Sequence, residues 1–260
     1  MPVADAFAYL LLSQVRFYFP ADATSHEQIV LRWIHFVAGI TWLGLLYYFN
    51  FVSMPVMKGL ESDFRNRVFA AFMPRLMWFF RWAGVVTVLA GLRYYMITLK
   101  LSATNAGEPS LLWRWLGWWF LLWLLAYAII HFLLQPAEGA LNNGWVLALL
   151  IGFIVVATSW LVLSLLAHPM ASNAMLSIGV GGGLGLIMLL NVWGIIWRAQ
   201  KRLIQWTDAA VREGKLMPPE APRLARRVYL ASKVNFWLSF PMLFFMGAAD
   251  HYPFLSSIFD

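Results

Sequence analysis

The chain of 260 residues contains no cysteine, and only 12% of its residues carry a formal charge. The first absence excludes a disulfide scaffold, a thiolate-ligated zinc or iron–sulfur site and c-type haem attachment to these residues. The second excludes an ordinary water-soluble domain, which carries about 25% charged residues against about 45–50% apolar ones. Acidic residues are scarcer than basic ones, 12 against 19, for a formal net charge of +7. A phosphate-binding glycine loop, a nucleophile elbow and a metalloprotease histidine pair are also missing, so hydrolysis and nucleotide chemistry have no support. What is abundant is apolar: 62% of residues are hydrophobic and the mean hydropathy is +0.69. Too little polar surface remains to cover a soluble fold, so the lipid bilayer must be the outer solvent. A basic excess on such a chain orients it in a membrane, and no nucleic-acid partner is expected.

A helix that crosses the hydrocarbon core needs about 20 largely apolar residues. Six stretches qualify, at 29–52, 78–99, 111–134, 145–167, 174–197 and 229–246. Segment 3–19 is apolar but short, carries Asp5 and Arg16, and ends at Pro20, so it reads as an interfacial helix, with a seventh span as the alternative. With no strand alternation, repeat or long polar linker, the expected fold is all-α: one polytopic bundle filling residues 1–260. Basic residues cluster in two places, a loop expected over 198–227 and the stretch Lys58, Arg65, Arg67 and Arg75. Six spans put both on one side, expected to be the cytoplasm of a bacterial inner membrane, with both termini periplasmic. Residues 62–75 read as a separate cytoplasmic surface helix. The tryptophan cluster Trp113, Trp115, Trp118 and Trp119 is expected mainly at the headgroup belt. Gly179, Gly181, Gly182, Gly183 and Gly185 permit close approach of another helix or of a flat prosthetic group.

Ionisable residues at membrane depth are costly and mark candidate sites. This topology brings His35, His168 and His251 to the side opposite the basic loops, with His35 about 9 Å below the start of its span. His131 sits toward the other end, more than about 10 Å away along the axis, and is expected to be satisfied by a neighbour. Arg32, His35, Gly39 and Trp42 share one helical stripe. Arg32 and Arg93 are candidate partners for a planar anion, Asp250 and Glu27 being their alternative partners. Three imidazoles from separate segments suit two kinds of redox centre: a haem b with axial histidines, or copper held by imidazole and thioether.

Two segments carry a resemblance. Arg32-Trp33-Ile34-His35-Phe36-Val37-Ala38-Gly39-Ile40-Thr41-Trp42-Leu43-Gly44, running on to Tyr47-Tyr48-Phe49-Asn50, resembles the first-helix motif of the membrane-bound urate oxidase (urate hydroxylase) N-terminal domain family. Asn235-Phe236-Trp237-Leu238-Ser239-Phe240-Pro241-Met242-Leu243-Phe244-Phe245-Met246 and the later Asp250-His251-Tyr252-Pro253 resemble the last-span segment of the same family, where Asn usually precedes His-Tyr-Pro. Asn191-Val192-Trp193-Gly194-Ile195-Ile196-Trp197 is a looser third match. The resemblance implies a polytopic domain that oxidises urate and passes electrons to a cytochrome c domain on the periplasmic side. With no cysteine here, that cytochrome is expected on a separate chain. The expected function is therefore an integral membrane oxidoreductase. His35, His168 and His251 are its candidate metal or haem ligands, His35, Arg32 and Arg93 its catalytic candidates, and Trp42 and Tyr48 its pocket lining. The alternative is a non-enzymatic accessory or haem-carrying subunit of a larger energy-transducing membrane complex.

Overall fold

The computed structural model describes residues 18–135, 143–169 and 171–255. They form an all-helical bundle with these elements in order: α1 (Ala23–Tyr47), a π-helical turn π1 (Tyr48–Ser53), α2 (Met54–Gly59), α3 (Ser62–Asn105), α4 (Leu111–Leu133), α5 (Gly144–Leu166), α6 (Asn173–Asn191), a second π-helical turn π2 (Val192–Ile196), α7 (Trp197–Glu213) and α8 (Ala221–His251). Among the described residues, six continuous helical stretches are long and apolar enough to cross a membrane. The expected interfacial helix over 3–19 lies almost wholly outside the described residues.

Two boundaries differ from the sequence expectation. Residues 62–75 are not a separate surface helix, because α3 runs unbroken for 44 residues through Pro74. Met73 and Met77 are both buried beside that proline, so packing holds the helix together where the missing N–H would otherwise break it. The basic segment 198–227 is likewise helical except at 214–220. In α7 the residues Ala199, Gln200, Leu203 and Thr207 are buried at spacings of three and four, so a packed stripe, not a loop, carries these cations. Gly214, at φ 67°, ends α7 with the left-handed cap that favours glycine. At about 1.5 Å per residue, α3 extends well past the roughly 30 Å hydrocarbon core.

The core is built around α6, in which most residues are buried, whereas α1 buries only Trp42 and Leu46. Glycine makes this central position possible. A Cβ on Gly183 would stand 1.9 Å from the Trp123 ring, one on Gly179 2.8 Å from Leu166, and one on Gly181 3.1 Å from Phe245. Gly182 and Gly185 instead border a cavity, described below. Helix packing and an opened space are therefore both served by one glycine-rich helix. The tryptophans of α4 divide in the same way: Trp113 and Trp118 are exposed, while Trp119 and Trp123 are buried and both donate to the Gly179 carbonyl, at 2.7 and 3.2 Å. Deep between α6 and α8, Asn191 Nδ2 donates to Asn235 Oδ1 and Asn235 Nδ2 to the Met188 carbonyl, each at 2.9 Å. Trp33 and Val37 on α1, and Phe153 and Trp160 on α5, are exposed, as a lipid-facing exterior requires.

Candidate functional site

One end of the bundle gathers the starts of α1, α4 and α6 and the ends of α3, α5 and α8. The start of α1 is fixed there by Asp22, which accepts from the Ser25 N–H and hydroxyl at 2.8 Å each. Those two donors hold the Asp22 carboxyl below its usual range. At the start of α6, at the same end, Asn173 Nδ2 donates to the Ala248 and Ala249 carbonyls at 2.8 Å, tying α6 to the last turn of α8.

Below this end lies a largely apolar cavity of about 480 Å³ between α1, α3, α6 and α8. Its wall on α1 is the stripe Arg32, His35, Gly39 and Trp42. Thr87, Gly91, Tyr94 and Tyr95 come from α3, Trp119 from α4, Gly182 and Gly185 from α6, and Met242, Met246 and Asp250 from α8. Nothing lies within 4 Å of where a Cβ on Gly44 or Gly185 would stand, so two opposite walls are open at their glycines. Trp42 Nε1 and Tyr95 Oη, both on lining residues, are buried with no hydrogen-bond partner among the described residues.

His35 is the histidine of this cavity. Its Nδ1 lies 2.8 Å from the Thr87 carbonyl oxygen. A carbonyl only accepts, so Nδ1 carries the proton and Nε2 carries the lone pair of the neutral ring. The ring fits because the residue one turn beyond Thr87 is Gly91, where a Cβ would stand 2.8 Å from His35 Cε1 and 2.9 Å from Nδ1. Trp42 seats in the same way against Gly84, where a Cβ would stand 2.9 Å from its Cε2. Gly84, Thr87 and Gly91 follow the spacing of one helix face, a signal in the sequence that the histidine-centred reading did not use.

Two arginines at this end are paired with acids. Arg32 forms an ion pair with Asp250 and lies over the Tyr94 ring, 5.2 Å from its centroid. Arg93 holds Glu27 through two bonds, Nε to Oε1 at 2.6 Å and Nη2 to Oε2 at 2.9 Å. Both acids are the alternative partners named from the sequence. Arg32 and Asp250 line the cavity, whereas Arg93 and Glu27 do not. The first pair ties α8 to α1 and the second ties α3 to α1.

The three histidines share this end but occupy different places. His168 follows α5 and stacks on Trp115, with ring centroids 4.9 Å apart and planes 11° from parallel. Burial pushes its imidazole below the ordinary histidine range. His251 is the exposed last residue of α8. Neither lines the cavity, and no group of three or more His, Asp or Glu able to hold a metal ion forms among the described residues. Tyr48 begins π1 and is 43% exposed, beside Phe49 and away from the lining. His131 contacts Tyr127, whose hydroxyl donates to the Leu190 carbonyl at 3.1 Å. Thr87, Gly91, Met242 and Met246 are lining residues that sequence reasoning missed.

Residues 58–258 match the model of the family described as urate oxidase N-terminal. The chain belongs to that family. The match contains the α6–π2 and α8 segments that resemble it in sequence, and it begins after the α1 motif that supplies Arg32 and His35. No curated protein and no solved structure matches the chain.

Proposed function

We propose that this chain is an integral membrane oxidoreductase that hydroxylates urate, or a closely related planar acid, in the His35 cavity. The observation that carries the reading is the fixed His35 tautomer, with Nδ1–H on the Thr87 carbonyl beside a glycine-opened apolar cavity, in a member of the urate oxidase N-terminal family. In the proposed reaction water supplies the new hydroxyl oxygen and gives up one proton, while the ring loses two electrons and one proton, the ring's proton passing to solvent. Two ferric haems of a c-type cytochrome take one electron each. The neutral Nε2 of His35 accepts a proton as the water attacks. Arg32 neutralises the substrate's charge by exchanging its Asp250 partner for the acid, as a guanidinium readily does with a planar anion. The buried Trp42 Nε1–H and Tyr95 hydroxyl supply polar capacity within a wall that is otherwise apolar.

The donors at the cavity fit a redox group held through one imidazole, because fixing Nδ1 on a carbonyl is how a metal-bound histidine is oriented. Nε2 cannot both ligate a metal and take up a proton, so where His35 would hold a haem b the proton of the attacking water passes to solvent instead. The thioethers of Met242 and Met246 on α8 add soft donors that suit copper as the alternative. Such a group would supply one-electron steps between substrate and cytochrome. The same reading places the His35 end at the periplasmic face of a bacterial inner membrane, where soluble cytochromes dock. Its support is the collection of cations at the other end.

Purified protein mixed with urate and ferric cytochrome c tests the proposal. Urate-dependent reduction is expected, with His35→Ala lowering the rate at least about a hundredfold, the scale of a lost general base. A dithionite-induced Soret shift that disappears in His35→Ala identifies haem. No reduction of any c-type cytochrome by urate contradicts the function, whatever the spectrum shows.

A further inference from the structure

A second cavity, of about 330 Å³, lies at the opposite, basic end of the bundle. It is largely apolar, lined by Met57, Met73, Met77, Phe69 and Phe80 among others, with the polar Ser53, Gln200 and Ser232 and two cations, Lys58 and Arg65, in the same lining. Neither cation has an acidic partner among the described residues, whereas the nearby Arg67 is paired with Asp63 at 2.9 Å. Both π-helical turns of the fold reach this cavity, π1 through Phe49 and Ser53 and π2 through Ile196. Two independent insertions of an extra residue into helices are costly unless they serve a site, and such turns concentrate at functional sites. Methionine walls are adaptable and suit a flexible hydrocarbon chain better than a rigid ring. A largely apolar lining with a pair of free cations is complementary to an acyl chain that ends in an anionic head.

We propose that this cavity binds an anionic phospholipid of the surrounding leaflet, with one acyl chain among the methionines and the phosphate at Lys58 and Arg65. The leaflet supplies the ligand because the cavity opens at the basic end of a membrane bundle, where anionic headgroups collect around juxtamembrane cations. Bound there, the lipid bridges α2, α3 and the start of α8, and so stabilises the long cytoplasmic extensions of the bundle. The site is independent of the urate reading, since it shares no residue with the His35 cavity.

Melting of the full chain in a neutral detergent, with phosphatidylglycerol, phosphatidylcholine or oleate added in separate arms, tests this. Phosphatidylglycerol is expected to raise the melting temperature by about 3–5 °C, the shift for a ligand near ten times its dissociation constant. Phosphatidylcholine and oleate are expected to give less than a third of that. Met57→Trp, which fills the cavity from a partly exposed position, and the double change Lys58→Glu/Arg65→Glu should each abolish the phosphatidylglycerol shift. Equal shifts with phosphatidylcholine, a larger shift with oleate, or a full shift in both variants would each overturn the proposal.

Discussion

His35 owes its orientation to two residues of α3, one contributing a carbonyl and the other contributing nothing but space. Replacing Gly91 by alanine puts a methyl group 2.8 Å from His35 Cε1 and drives the ring off the Thr87 carbonyl. Loss of that one bond, about 1–1.5 kcal/mol, is expected to lower urate-dependent cytochrome reduction about tenfold while leaving the protein folded. Steady-state rates and melting temperatures of Gly91→Ala beside the parent check this. His168 gives a prediction in pH. Its imidazole is held below the ordinary histidine value by burial, so the unfolded chain takes up a proton before the folded one does. Its contribution to stability is therefore complete above about pH 6.5 and is lost as pH falls through the lowered value. Melting between pH 8 and pH 5 should show a decline that is shallower in His168→Gln. The residues legible in the sequence at this scale are those whose chemistry is rare in a membrane: histidines, arginines and the acids that pair with them. Thr87, Gly91 and Gly84 escape notice because a backbone carbonyl and a missing methyl group have no signature of their own. They become visible only when the face that binds α1 is known.

Among the elements, α6 is the one whose composition and position explain each other. Five glycines would be a liability on a lipid-facing helix, yet here they let Trp123, Leu166 and Phe245 reach the backbone. Gly183→Ala is expected to cost about 1–3 kcal/mol or more, since its Cβ would overlap the Trp123 ring. Gly185→Ala meets nothing within 4 Å and should be neutral or stabilising by up to about 1 kcal/mol through helix propensity. Paired thermal melts of the two variants separate packing from opening on a single helix. The six apolar stretches were readable because hydrocarbon thickness fixes their length. The extensions of α3 and α7 were not, because charge density looks like a loop until a buried stripe such as Ala199, Leu203 and Thr207 is placed against a neighbour. The glycine run was readable as a close approach, but one sequence does not say that three of its members pack while Gly182 and Gly185 open a cavity.

At the scale of the whole molecule, the bundle has two unlike ends. One holds His35, the Arg32–Asp250 and Arg93–Glu27 pairs and the stacked His168, and the other holds most of the basic residues and the second cavity. Because the chain has no cysteine, single introduced thiols report orientation cleanly. Glu108→Cys, between α3 and α4, should react with an impermeant maleimide on intact cells, and Lys215→Cys, between α7 and α8, only after permeabilisation. The reverse pattern would place the His35 cavity on the cytoplasmic side and remove its access to periplasmic cytochromes. On the proposed function, turnover depends on the open space that His35, Gly182 and Gly185 border. The most direct test of that dependence is the urate-dependent reduction of cytochrome c by Gly185→Leu, which fills that space from a wall where nothing stands within 4 Å. Turnover should fall to background with the melting temperature within about 4 °C of the parent, the shift that roughly 1 kcal/mol produces. Full turnover by a folded Gly185→Leu protein would contradict it.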